Sequence, residues 1–446
     1  MNNVLDSKEF LNKLTSVVPT YKQIEFQNLG YYNFIHFGLN TFTGKEWGDG
    51  KVDPSVFTVT DINTDKWVIQ LKATGSKGVI ITAKHHDGFC LFDSKYTDYN
   101  ITKTAYKGGK GDLVKDLADS CRKHGMKLGI YLSPWDRHES TYGTEAYNDF
   151  FCNQLTELCT SYGEIFCFWF DGACGEGPNG KKQRYDWERY FEIINRIQPD
   201  AVIANCGPDV RWIGNEQGKG RKSEYSVVST KLRDRLKIAE MSQQQEGIKV
   251  MSKMPAERDK SLGEREQLIG EELCWYPAEM DISVTEHGWF WRKSFELFKL
   301  RSVDNLMQCY YESVGNNATL LLNVAPNNKG ELPKRYVKRL MQFRTRLDRQ
   351  FGSEVKSVRI FQDGNNFRIT FPESEVKTVV VCEDVTHSQR IEEFRLTANG
   401  ETVYSGTAIG FKKICNLKKA VKCSEIVLNI DKCRNEPYLH KVRIYR

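Results

Sequence analysis

No run of apolar residues in this 446-residue chain approaches the ~18 that a membrane-spanning helix needs, so no helical span is expected. The opening stretch, MNNVLDSKEFLNKL, lacks the apolar centre of an export signal, and the chain as written is therefore expected to be cytoplasmic. An initiator Met placed where a signal had been removed would give the same start, so a periplasmic or secreted protein is the alternative. No Cys-x-x-Cys pair occurs among the thirteen cysteines, which argues against a zinc ribbon or a redox pair. Most of them sit among apolar neighbours and read as small buried hydrophobes in a reducing compartment. Basic residues (64) barely exceed acidic ones (58) and are scattered, so the basic stripe of a nucleic-acid-binding protein is missing. Also missing are low-complexity tracts, solenoid repeats and a Gly-x-Gly-x-x-Gly motif after the first strand.

What is present is an alternation of strand-like and helix-like segments through the first three quarters of the chain. NFIHFG (33–38), GVIITAKHH (78–86), KLGIYLSP (127–134), EIFCFWFDG (164–172), AVIANCG (201–207), LCWYPAEMDIS (273–283) and ATLLLNVAP (318–326) read as strands buried on both faces. Between them lie amphipathic segments near 65–73, 111–125, 145–162, 186–198, 294–314 and 332–352. In the second of these, Leu113, Val114, Leu117, Ala118 and Cys121 share a face, and Gly125 is placed to end the helix. Such units imply parallel strands with right-handed crossovers, in a closed barrel or an open doubly wound sheet. Polar residues follow several successive strands instead of gathering at one switch point, which favours a distorted (β/α)8 barrel of the TIM type. About seven strands are countable, leaving one irregular or hidden.

After Gly352 the pattern changes to alternating apolar and polar residues with Asp-Gly-Asn and Asn-Gly turns, as in VRIFQDGNNFRITFP and EEFRLTANGETVYSG. A barrel over 1–350 followed by an antiparallel β-sandwich over 351–446 is therefore expected. The sandwich offers no aromatic platform for a sugar, so packing against the barrel is its expected role.

In such barrels the active site lies at the carboxyl ends of the strands. Here those ends carry His36, His85, His86, Tyr131 and Asp171, and the loop PDVRWIGNEQG adds Trp212 and Glu216. One histidine at a strand end is commonly structural; polar groups at several successive ends point to chemistry. Asp171, on a rigid strand and followed by Gly172, is presented as a nucleophile would be. Hydrolysis of a glycoside with retention needs a second carboxyl ~5 Å away, and Glu216 is the candidate, kept protonated by the charge of Asp171. Trp47, Trp135, Trp169, Trp212, Trp289 and Trp291 supply flat rings for the apolar face of a sugar, and Glu46 an acceptor for its hydroxyls.

The blocks FIHFGLNTFTGKEWGDGKVDPSVF, GVIITAKHHDGFCLFDSKYTDYN, GIYLSPWD, FWFDG, DVRWIGNEQG and TLLLNVAPNNKGEL closely resemble those of the α-L-fucosidases of glycoside hydrolase family 29, over roughly residues 20 to 345. The resemblance implies a distorted (β/α)8 barrel with a β-sandwich, and a retaining enzyme without a cofactor. It makes Asp171 the nucleophile and places His36, Glu46, Trp47, His85, His86 and Tyr131 around the fucose hydroxyls. The WIGNE block resembles the subfamily that prefers branched α-1,3 and α-1,4 fucosides such as Lewis-type glycans, in which Glu216 takes the acid/base position. Trp289 is implied as a wall of the sugar pocket. The expected partner is a fucosylated oligosaccharide, with no nucleic acid or membrane; the oligomeric state is not indicated.

Two competing readings exist. A metal-dependent hydrolase could use His36, His85, His86 and Asp171, although neighbouring residues of a regular strand point to opposite faces unless a bulge intervenes. A sugar-binding protein could keep the pocket without the chemistry. No metal is expected, and the presence of both carboxylates speaks for catalysis.

Overall fold

The apolar runs are buried along nearly their whole length in the computed structural model, which describes residues 2–236 and 262–446. Strands β1 (Tyr31–Ile35), β2 (Gly78–Lys84), β3 (Lys127–Leu132), β4 (Ile165–Phe170) and β5 (Val202–Asn205) lie side by side and parallel. A two-residue strand, β6 (Arg211–Trp212), follows, and β7 (Val227–Ser229) pairs with β8 (Leu273–Trp275) in a separate antiparallel ladder. Strands β9 (Ala278–Ser283) and β10 (Ala318–Asn323) complete an eight-stranded sheet in the order β5-β4-β3-β2-β1-β10-β9-β6. Its two ends meet through a bridge between Ala204 and Val210, with Asn205 N–H donating to Val210 O at 3.0 Å. The result is the distorted (β/α)8 barrel expected from the alternation.

The strand that could not be counted is β6. Two residues inside a polar connection carry no periodicity, so only the pairing Arg211 with Ala278 and Trp212 with Glu279 reveals it. LCWYPAEMDIS, expected as one strand, is two, because Pro277 has no N–H to continue a ladder and the chain changes partners there. The single helix expected near 294–314 is likewise two, Lys293–Phe298 and Val303–Glu312, separated where Leu300 forms a bridge with Thr285.

Alternation along the strands builds two layers of core. Val79, Ile81, Ile130, Phe168, Met280, Ile282, Leu320 and Leu322 face outward and pack under the helices. Tyr32, Phe34, Ile80, Tyr131, Cys167, Trp169, Ala204 and Leu321 fill the barrel, whose lower end is closed by Phe26 and Leu29 of the helix Tyr21–Leu29. The helix Leu113–His124 buries the face read from its spacing, begins where Asp112 accepts the Lys115 N–H, and ends at Gly125 in the left-handed region (φ 61°). None of the thirteen cysteines forms a disulfide.

Beyond the helix Lys334–Phe351, β11 (Arg359–Asp363), β12 (Asn366–Glu383), β13 (Ile391–Ala398), β14 (Glu401–Gly406), β15 (Lys413–Cys433) and β16 (Leu439–Tyr445) form the antiparallel β-sandwich. The long strands β12 and β15 shift register between Thr370 and Ser374 and again between Val376 and Thr378, and residues from both parts of each strand join one core. Buried charges connect this region to the rest: Glu392 takes hydrogen bonds from both Arg265 and Arg434. No helix among the described residues is long and apolar enough to cross a membrane.

Candidate active site

The carboxyl ends of the strands converge on one pocket. Asp171 stands one residue beyond β4, with its side chain 23% exposed and so within reach of a ligand. Its Oδ1 accepts the Ala173 N–H at 2.8 Å and its Oδ2 the Tyr131 hydroxyl at 3.1 Å, which fixes the carboxylate plane. Tyr131 is in turn stacked on Trp169, with ring centroids 5.4 Å apart. Its own hydroxyl is held in the neutral form by burial and by the charge of Asp171.

His85 and His86 follow a shift of register between β2 and β3 at Thr82 and Lys84, and their rings lie on the same side with centroids 4.1 Å apart. Both histidines lie beyond Lys84, where β2 ends, so the alternation of a regular strand does not send them to opposite faces. His86 donates from Nδ1 to Ser133 Oγ at 2.7 Å, because that hydroxyl spends its own proton on Trp135 O. Its Nε2, 3.8 Å from Asp171 Oδ2, is left as the acceptor when the ring is neutral. Burial lowers the pKa of His86 against the pull of Asp171. His85 is driven well down by burial, and its Nδ1 has no hydrogen-bond partner.

His36 is assigned in the same way. Asn323, at the end of β10, donates from Nδ2 to Trp289 O at 2.7 Å, so its Oδ1 faces His36 Nδ1 at 3.0 Å and takes the proton there. Burial pushes His36 down to about 3, and it presents an unprotonated Nε2. Phe290 packs edge-on to both His36 and His85.

Trp289 forms a wall whose ring centroid lies 5.1 Å from that of His36. Its N–H donates to Glu46 Oε1, and Arg292 Nη2 lies 3.1 Å from Glu46 Oε2. Glu46, expected to accept sugar hydroxyls, also ties down the loop that carries Trp289, with one contact to each oxygen. Gly288 just before it has φ +76°, and a Cβ there would come within 2.6 Å of Phe295, so the loop needs a glycine. Trp47 stands edge-on to His86 and Trp135, at 5.7 and 5.6 Å.

The second carboxyl comes from β6. Trp212 ends that strand, and its indole N–H donates to Asp281 Oδ1 at 2.6 Å. Four residues on, Glu216 rides a turn built around Asn215, whose Oδ1 accepts the N–H groups of Gln217 and Lys219. Glu216 is exposed at the surface yet has protein packed around its carboxyl. This loss of hydration, then the charges of Asp171 and Glu46, pushes its pKa up to about 7, and a hydrogen bond from the Trp289 side chain opposes them. The charge of Asp171 therefore reaches Glu216.

Residues not singled out in the sequence complete the site: Asn323, Ser133, Phe290, Arg292, Glu279 and Asp281. Asn323 ends a barrel strand and was open to the same strand-end rule. The two acids in AEMDIS betray themselves only as polar residues inside an otherwise apolar strand. Among the described residues, no group of three or more His, Cys, Asp or Glu side chains is arranged to hold a metal ion.

Residues 10–350 match the family model described as α-L-fucosidase. The chain is 36% identical to α-L-fucosidase 1 of Arabidopsis thaliana, covering 96% of this chain and 87% of that one. A crystal structure of a glycoside hydrolase family 29 member from an unknown rumen bacterium superposes with a TM-score of 0.81 at 31% identity, over 96% of this chain and 77% of that one. A family 29 fucosidase from Ruminococcus gnavus, solved in complex with fucose, gives 0.80 at 28% identity, over 96% and 95%. By its sequence, its barrel and its relatives, the chain is an enzyme that belongs to the α-L-fucosidase family, glycoside hydrolase family 29.

Proposed function

We propose that the protein is a retaining, exo-acting α-L-fucosidase that removes terminal α-1,3- or α-1,4-linked fucose from branched, Lewis-type oligosaccharides by double displacement. The observation that carries the mechanism is a second carboxyl within the influence of Asp171: lost hydration first, and then the charge of Asp171, push Glu216 up to about 7. In the first step Asp171 attacks the anomeric carbon, the bond to the glycosidic oxygen breaks, and the proton of Glu216 passes to that oxygen. In the second, water gives a proton to Glu216 and attacks the same carbon, and the bond to Asp171 breaks. Two inversions leave the anomeric configuration unchanged.

The surrounding groups suit a small polyol with one apolar face. His36 and His86 are neutral acceptors through Nε2, pinned from behind by Asn323 and Ser133. Trp289 and Trp47 provide the apolar walls. A structural relative bound to fucose supports fucose as the sugar, and the WIGNE block supports the branched linkage.

Three measurements test the proposal. Asp171→Ala abolishes turnover of any fucoside, and an active variant free of wild-type enzyme would overturn the nucleophile. Proton NMR of the first-formed product shows the α anomer of fucose, whereas the β anomer would refute retention. Free fucose is released faster from α-1,3/1,4-linked branched oligosaccharides than from an α-1,2-linked one; the reverse order would refute the linkage preference.

A further inference from the structure

Two buried carboxyls on β9 are left unexplained by the proposed chemistry. Glu279 and Asp281 are 1% and 3% exposed, and being two residues apart they share one face of the strand. That face is the barrel interior, since Met280 and Ile282 pack into the outer core. Each accepts an indole N–H at 2.6 Å, Glu279 from Trp169 and Asp281 from Trp212. Trp169 stands two residues before Asp171 on β4, and Trp212 four before Glu216. No cation is among the groups acting on either carboxyl. An apolar side chain would fill this interior at lower cost than an unpaired acid, so retention of both acids calls for a role.

The need is greater on the side of Glu216. Strand β4 is anchored along six residues, Ile165–Phe170, with β3 and β5 on its flanks. Strand β6 has two residues in register with β9, extended by the Ile213 N–H to Glu279 O at 2.9 Å. The side-chain bond from Trp212 to Asp281 is the further tie between β6 and β9 before the chain enters the turn at Gly214, whose φ of +102° lets it swing toward the pocket.

We propose that Asp281 is a positioning residue for the acid/base, acting through the Trp212 indole to aim the turn that carries Glu216. The inference rests on the reading of Glu216 as the acid. The groups that face Asp281 are Trp212, Glu216 and Glu279, and no base is among them. Burial first, then the charge of Glu216, holds the Asp281 carboxyl well above the usual range.

The test uses the full chain, two substrates and three variants. One substrate is an aryl fucoside whose phenolate leaves without help; the other is a fucosylated oligosaccharide whose sugar must be protonated to leave. Glu216→Ala is measured first, because a loss confined to the oligosaccharide establishes the acid independently. Asp281→Leu then removes the acceptor, Trp212→Phe removes the donor while keeping an aromatic ring, and Asp281→Asn keeps a carbonyl for the indole. For both Asp281→Leu and Trp212→Phe, kcat on the oligosaccharide falls roughly 100-fold and on the aryl fucoside less than about tenfold, in keeping with the size of general acid catalysis. Asp281→Asn stays within a few-fold of wild type, and the Leu and Phe changes combined cost no more than either alone. Equal losses on both substrates, full additivity, or an Asn variant as impaired as Leu would overturn the inference. If Asp281→Leu does not fold, Trp212→Phe and Asp281→Asn decide it. If Glu216→Ala itself lacks the leaving-group dependence, the reading of the acid has failed instead.

Discussion

The charge of Asp171 should be legible in the pH profile. Glu216 is pushed from the ordinary glutamate value of 4.5 up to about 7, with Asp171 the second cause after lost hydration. Only the protonated form can deliver a proton to the leaving oxygen, so kcat/KM on an oligosaccharide falls along a basic limb centred near pH 7. At pH 8 about one enzyme molecule in eleven is competent, and each further unit costs about another tenfold. An aryl fucoside needs less protonation and shows a shallower limb. Asp171→Asn removes the neighbouring charge, and the Glu216 midpoint then moves down from about 7 toward 4.5. The assay pairs kcat/KM from about pH 5 to 9 on both substrates with carbon NMR titration of labelled glutamate in wild type and Asp171→Asn, with Glu216→Gln identifying the resonance. A flat oligosaccharide profile above pH 6, or a Glu216 midpoint unmoved by Asp171→Asn, would refute the electrostatic coupling on which the acid assignment stands.

Tyr131→Phe removes the 3.1 Å hydrogen bond to Asp171 and should lower kcat/KM by roughly 10- to 100-fold, since a bond to a charged acceptor is worth ~1.5–3 kcal/mol; steady-state kinetics on the aryl fucoside checks it. Glu279 is raised by burial to about 7 from 4.5, so the stability it contributes is present at low pH and lost as pH rises from about 4.5 through 7, by about 3 kcal/mol. Urea unfolding at pH 5 and 7.5 should therefore show a smaller pH difference for Glu279→Gln than for wild type. Glu392→Ala strands Arg265 and Arg434 in the interior and should destabilise the protein by ~3–5 kcal/mol, read by the same denaturation while the pocket is untouched.

Much of this architecture could be read from the chain because local signals agree with the fold. Asp112, the apolar face from Leu113 to Cys121 and Gly125 specify one helix without any tertiary information. Asp171 was legible for the same reason: a charged residue at the end of six buried apolar ones stands out. Strand β6 was not, because two paired residues leave no period to detect. The bond between Glu46 and Trp289 was also closed to inspection, since it joins positions 243 apart and only the folded loop brings them together. Asn323 and Ser133 act by fixing which imidazole nitrogen carries the proton, a property of contacts alone.

The barrel's last closure, between Ala204 and Val210, divides the two proposed catalytic duties unequally. Displacement at carbon is assigned to a wall knitted on both sides, whereas proton delivery is hung from the briefest staple in the ring. Insertions or deletions spliced at that join would re-aim the proton donor toward aglycones of new shape and leave the machinery gripping the sugar intact. New linkage preferences would be easiest to evolve, or to engineer, at that point of the circumference.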